Sequence, residues 1–160
     1  MAGKSGPKTG HSLPPASGDG VYIDSSALAK LYLPEAESEV LDRFLVGRTD
    51  LLISELGVTE VISAVARRMR EGALSSEQAN LIQDAIMTDS REGALRRVDI
   101  TPKVHRLAER ILLTSQSIPF RTLDALHIAL AVSGEAGSIV TFDVRMSEAA
   151  ALHGLKIVKL

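Results

Sequence analysis

The 160-residue chain contains no cysteine. Disulfides, zinc–thiolate centres and thiol nucleophiles are therefore excluded, and a cytoplasmic location is the expectation. Aromatic residues are scarce at 3%, with two tyrosines and three phenylalanines scattered along the sequence. That is too few for a base-stacking surface, and it leaves the core to Leu, Ile, Val and Ala. A charge excess is also missing: the formal net charge is -2, so no global basic field attracts nucleic acid, and any such binding must use a local patch. No apolar run is long enough to span a membrane. The first twenty residues, rich in Gly, Ser, Pro and Lys, lack the apolar segment of a secretory signal.

What is present is the composition of an ordinary globular domain, 45% hydrophobic and 24% charged. Residues 1–19 read as a disordered tail on composition, and 20–160 as one domain. Gly3-Lys4-Ser5 is not a phosphate loop, because no strand precedes it, the first glycine of that motif is missing and Pro7 stands where a helix should start. From residue 20 onward strands and helices alternate. Apolar runs within 21–24, 50–54, 95–100, 138–142 and 156–158 predict strands. Helical spacing predicts helices at 25–33, 36–46, a long one ending near Arg70, and others beginning at Ser75 or Ser76, at Pro102, after a Thr122 cap and at Met146. This order predicts an α/β fold with a central, mostly parallel sheet covered on both faces.

Four acidic residues stand where strands give way to helices or in the opening turns of helices. Asp24 follows Val21-Tyr22-Ile23, and Asp143 follows Ile139-Val140-Thr141-Phe142; Glu60 and Asp124 each open an apolar helical pattern. In a parallel α/β sheet such positions gather at the carboxyl ends of the strands, where ligands bind. Singly, each acid has a plain explanation: Asp24 and Asp143 as helix caps, Asp124 as a first-turn dipole partner, Glu60 as a solvated helix residue. Together, four carboxylates at one edge would repel unless a cation joined them, and oxygen donors suit a hard divalent ion. Glu60 lies among Val58, Val61 and Ile62, an odd setting for a solvated side chain.

Four blocks carry a family resemblance. Val21-Tyr22-Ile23-Asp24-Ser25-Ser26-Ala27-Leu28 resembles the opening of PIN-domain ribonucleases of the VapC toxin type. Ser54-Glu55-Leu56 with Glu60-Val61-Ile62-Ser63-Ala64 and Arg67 is similar to the second block. Leu123-Asp124-Ala125-Leu126-His127-Ile128-Ala129 resembles the third, and Ile139-Val140-Thr141-Phe142-Asp143 with Gly154-Leu155-Lys156-Ile157-Val158 the fourth and the closing strand. The resemblance implies a three-layer α/β/α sandwich. It also implies that Asp24, Glu60 and Asp124 bind metal with Asp143 as fourth acid, all four being catalytic, and that Ser25 and Thr141 support the site. The implied cofactor is Mg²⁺, with Mn²⁺ able to substitute. The implied substrate is RNA, and the implied partners are a VapB-type antitoxin and a second copy in a homodimer.

Mg²⁺ retains waters and pairs with carboxylates and substrate phosphate, which suits hydrolysis of a phosphodiester. Attack by water in line would leave a 5′-phosphate and a 3′-hydroxyl. Arg121 and Arg145, beside Asp124 and Asp143, are the candidate phosphate contacts; Arg67, Arg68 and Arg70 share one helix, with a solvated face the plainer reading for the last two. Glu55 reads as an N-terminal helix charge and His127 as a packed, hydrogen-bonded histidine. Two alternatives remain: a haloacid-dehalogenase-like phosphatase, which would need a second aspartate where Ser26 stands, and a non-catalytic interaction module that keeps the fold as a scaffold.

Overall fold

A computed structural model describes residues 18–115, 119 and 121–160. The expected tail lies outside these residues apart from Gly18 and Asp19, and so does Gly3-Lys4-Ser5. Among the described residues five strands, β1 (Gly20–Ile23), β2 (Leu51–Ser54), β3 (Arg96–Val98), β4 (Ala136–Val140) and β5 (Lys156–Ile157), form one sheet in the order β3-β2-β1-β4-β5. Every neighbouring pair is parallel. The helices are α1 (Ser25–Tyr32), α2 (Ser38–Leu45), α3 (Glu55–Arg70), α4 (Ser76–Arg91), α5 (Pro102–Thr114), α6 (Thr122–Ser133) and α7 (Val144–Leu152). None of them is long and apolar enough to cross a membrane.

The two-residue period of a strand sorts the core into two halves. Tyr22, Leu52 and Ile139, which stand opposite one another in register, pack with α5, α6 and α7. Val21, Ile23, Leu51, Ile53 and Val140 face the other way, toward α1, α2, α3 and α4. Both faces are covered, so the central strands are apolar throughout, as a parallel sheet requires.

Helix boundaries follow local chemistry. Ser54 caps α3 by accepting the Gly57 N–H at 3.0 Å, and Gly72, at φ +74°, takes the left-handed conformation just past its end. Ser75 and Gln78 form a reciprocal capping box on α4. Thr101 caps α5 ahead of Pro102. Two expectations need correction. Thr122 is the first helical residue of α6 and not its cap; Arg121 holds the cap position, and its N–H is satisfied by the Asp124 carboxylate at 3.1 Å. β4 spans Ala136–Val140 and stops short of Phe142; the Phe142 N–H donates to the Ser26 hydroxyl instead of continuing the ladder.

The chain runs from β1 outward through β2 to β3, then crosses to β4 and β5 on the other side. The order therefore reverses between β1 and β4, and the crevice outside the carboxyl ends of these two strands is the ligand position of such sheets. Asp24 and Asp143 flank that crevice. α3 starts directly after β2 and carries Glu60, and α6 opens with Asp124 in its first turn.

Candidate functional site

Asp24 follows β1 and caps α1. It is only 2% exposed. Its Oδ1 accepts hydrogen bonds from the Ala27 N–H at 2.9 Å and the Ser26 hydroxyl at 2.7 Å, and its Oδ2 accepts one from Thr141 at 2.5 Å. Burial pushes this carboxyl above its ordinary range, against the downward pull of those three donors and of His127. It forms no ion pair with lysine or arginine among the described residues. A buried carboxylate without a basic partner is costly. Oδ2, with one donor, keeps a lone pair for a cation.

Glu60 projects from the second turn of α3 and is partly exposed. Its Oε2 lies 2.5 Å from His127 Nε2. Burial pushes the carboxyl up, but the hydrogen bond and charge of His127, with the Ser25 hydroxyl, outweigh it and hold the group below its ordinary range. The other imidazole nitrogen, Nδ1, lies 2.8 Å from the Tyr22 hydroxyl, which donates to Ser54 Oγ at 2.8 Å. Ser54 caps the helix that carries Glu60, so the chain of contacts closes on itself through β1 and α6. His127 is a packed and hydrogen-bonded histidine, 2% exposed.

The other two acids are bound by their own helices. Asp124, half-buried in the first turn of α6, accepts the Arg121 N–H, and it shares a helix face with His127 three residues on. Asp143 caps α7 by accepting the Arg145 and Met146 N–H groups at 2.8 and 3.3 Å. Its own N–H donates to Thr141 Oγ1 at 3.1 Å, so Thr141 links the Asp24 carboxylate to the start of α7. Among the described residues no three acidic or histidine side chains stand close enough to form a closed metal cage. The donor chemistry nevertheless fits a hard cation: oxygen donors, a buried anion with a vacant lone pair, and a histidine whose two nitrogens already have partners.

Glu55, the rival acid of α3, pairs with Arg97 of β3 at 2.9 Å. Arg68 turns aside to Glu35 at 2.6 Å. Arg67 and Arg70 share a cavity of about 320 Å³ with Glu60, Ser63, Ala64 and Leu123. Arg121 and Arg145 are exposed, and the contacts seen to Asp124 and Asp143 come from their backbones. Tyr22, Ser26 and Ser54 escaped the sequence reading as site residues. Tyr22 stands two positions before Asp24, hence on the same strand face, and Ser54 stands immediately before a helix; both signals were available.

The sequence profile of the PIN domain matches residues 21–152. Ribonuclease VapC46 of Mycobacterium tuberculosis is 32% identical over 142 residues, covering 86% of this chain and 95% of that protein. Among solved structures, M. tuberculosis VapC20, a sarcin–ricin loop cleaving toxin, superposes with a TM-score of 0.64 at 18% identity, covering 81% of this chain and 94% of that one. VapBC2 from Rickettsia felis, bound to a DNA fragment from its promoter, gives 0.61 at 15% identity and covers 86% and 96%. At those identities the structural likeness concerns the fold.

Proposed function

The chain belongs to the PIN-domain family, and from that premise we propose that it is a divalent-metal-dependent endoribonuclease of the VapC toxin type, restrained by a partner antitoxin protein. Asp24, Glu60 and Asp124 hold the cation, with Asp143 as the fourth acid. Mg²⁺ is the expected ion, and Mn²⁺ substitutes. Bound there, the cation supplies positive charge at the scissile phosphate and makes water acidic enough to attack near neutral pH.

The chain's own groups do the rest. Thr141, Ser26 and the Ala27 N–H fix the Asp24 carboxylate. His127 and Ser25 fix Glu60. A cleft carboxylate accepts the proton of the attacking water. The water oxygen bonds to phosphorus as the bond to the 3′-oxygen breaks, and the departing 3′-oxygen takes a proton from solvent water, leaving a 5′-phosphate and a 3′-hydroxyl. Arg121 and Arg145 flank the cleft as phosphate contacts. The protein acts in the cytoplasm as a homodimer, on RNA.

The observation that carries this reading is the buried Asp24 carboxylate, hydrogen-bonded on both oxygens yet, among the described residues, without a lysine or arginine partner. The test is cleavage of total RNA with end mapping, with Mg²⁺ and with chelator, beside Asp24→Asn and Asp124→Asn. Expected are metal-dependent cuts bearing 5′-phosphates, lost in both folded variants. A stable phosphoryl adduct on Asp24 would instead indicate a phosphatase. A folded wild-type protein that cuts no RNA with Mg²⁺ or Mn²⁺ would indicate an interaction module.

A further inference from the structure

We propose that His127 is a positioning residue for the metal site: it grips Glu60 by Oε2 and so orients the carboxylate for the cation, and it is itself aligned by Tyr22 and Ser54. This rests on the reading of Glu60 as a metal ligand. A glutamate on a helix surface has three rotatable bonds, and ordering it costs conformational entropy. A preformed donor that holds one carboxylate oxygen removes much of that cost before the cation arrives.

The geometry satisfies what such a donor needs. The Tyr22 hydroxyl donates to Ser54, and an anionic carboxylate 2.5 Å from Nε2 requires a proton on that nitrogen, because two bare acceptors would repel. The ring cannot swing away. It is almost fully buried, it meets Tyr22 edge-on with centroids 5.9 Å apart, and its Nδ1 is bonded to the Tyr22 hydroxyl. Tyr22 is fixed in turn by Ser54, whose oxygen also accepts the Gly57 N–H of α3. The base of α3 and its Glu60 are therefore referenced to the same two buried side chains. A stabilising role alone does not call for a histidine. Its neighbours Ala125, Ile128, Ala129 and Leu130 are all fully buried, and an apolar side chain would fill this place without a polar group to satisfy.

The experiment is Mn²⁺ binding to the metal-free full-length protein, followed by electron paramagnetic resonance or calorimetry, with the Mg²⁺ concentration for half-maximal cleavage as second readout. His127→Leu is expected to weaken Mn²⁺ binding about 10–100-fold, as loss of a partner to a ligating carboxylate does. His127→Gln, which offers an N–H at a similar reach, should recover most of that loss. Tyr22→Phe, which removes only the hydroxyl behind the ring, should show a smaller loss, and it serves as the test if His127→Leu does not fold. Folded His127→Leu, or Tyr22→Phe in its place, binding Mn²⁺ as tightly as wild type overturns the positioning role and leaves the nuclease reading intact. Wild-type protein that binds no Mn²⁺ removes Glu60 as a ligand and this role with it.

Discussion

The two sides of the cleft hold their acids differently. On the β1–α3 side, Asp24 and Glu60 reach across the fold for partners, Asp24 to Thr141 and Glu60 to His127. On the α6–α7 side, Asp124 and Asp143 are satisfied by backbone N–H groups at the starts of their own helices. Asp24 also caps α1 through the Ala27 N–H, but its bond to Thr141 and that of Glu60 to His127 are tertiary contacts that starting α1 or α3 does not require. The second pair is accounted for locally, so a role in metal binding would be additional to capping.

Substitutions at Asp24 and Glu60 probe this contrast hardest. Each amide variant, Asp24→Asn or Glu60→Gln, is expected to reduce RNA cleavage by on the order of 10²–10³, the equivalent of several kcal/mol of lost charge stabilisation. Their stabilities should move in opposite directions. Folded Asp24 binds its proton more tightly than an unfolded chain does, so metal-free stability falls as pH rises from the ordinary carboxylate range through the raised Asp24 value. Asp24→Asn lacks that loss and should melt higher at neutral pH, by roughly 3–5 °C for each kcal/mol gained. Glu60 is held low, so its contribution is present above the ordinary carboxylate range and disappears as pH falls through its depressed value. Glu60→Gln should therefore melt lower at neutral pH. Thermal melts of metal-free protein across pH check both signs, and equal shifts would erase the distinction between the two acids.

Asp143 separates capping from catalysis. Asp143→Ala should cost about 1 kcal/mol of stability, the worth of a helix cap, whereas Asp143→Asn keeps the cap and the melting temperature. If Asp143 also serves the cation, Asp143→Asn still loses about tenfold in activity; unchanged activity at unchanged stability would confine it to α7. The smallest expected effect lies on the rim. Arg67→Gln and Arg70→Gln, beside Glu60, and Arg121→Gln and Arg145→Gln, beside the other acids, should each lower the salt dependence of RNA binding by about one unit of slope where the side chain meets a phosphate. The pair that changes the slope shows on which side of the cleft the strand lies.

The alternation of elements was legible because β1, β2 and β4 are apolar runs bounded by acids, serines and glycines, and because α3 and α5 keep helical spacing. The family followed from four acidic blocks in order, and the profile and sequence comparisons bear it out. Partner choice was not legible. Helical spacing places Arg67, seven residues after Glu60, on the same face as that acid, but nothing in the order of residues tells that Arg68 turns to Glu35, 33 residues away. His127 read correctly as packed and hydrogen-bonded, but its partners come from β1 and α3, 105 and 67 residues away. The C-terminal end of β4 was misplaced because the side chain of Ser26, remote in sequence, captured the Phe142 N–H that a continuing ladder would have used.

The register of the first strand carries a consequence for sequence change. Against β4 the pairing shifts between Gly20 and Val21, while Val21, Tyr22 and Ile23 stay in step with Ser138, Ile139 and Val140. An extra residue inserted ahead of Val21 can be absorbed at that existing irregularity. One inserted between Val21 and Asp24 would rotate either the tyrosine or the aspartate to the opposite side of the sheet, so the length of this short segment admits no neutral variation.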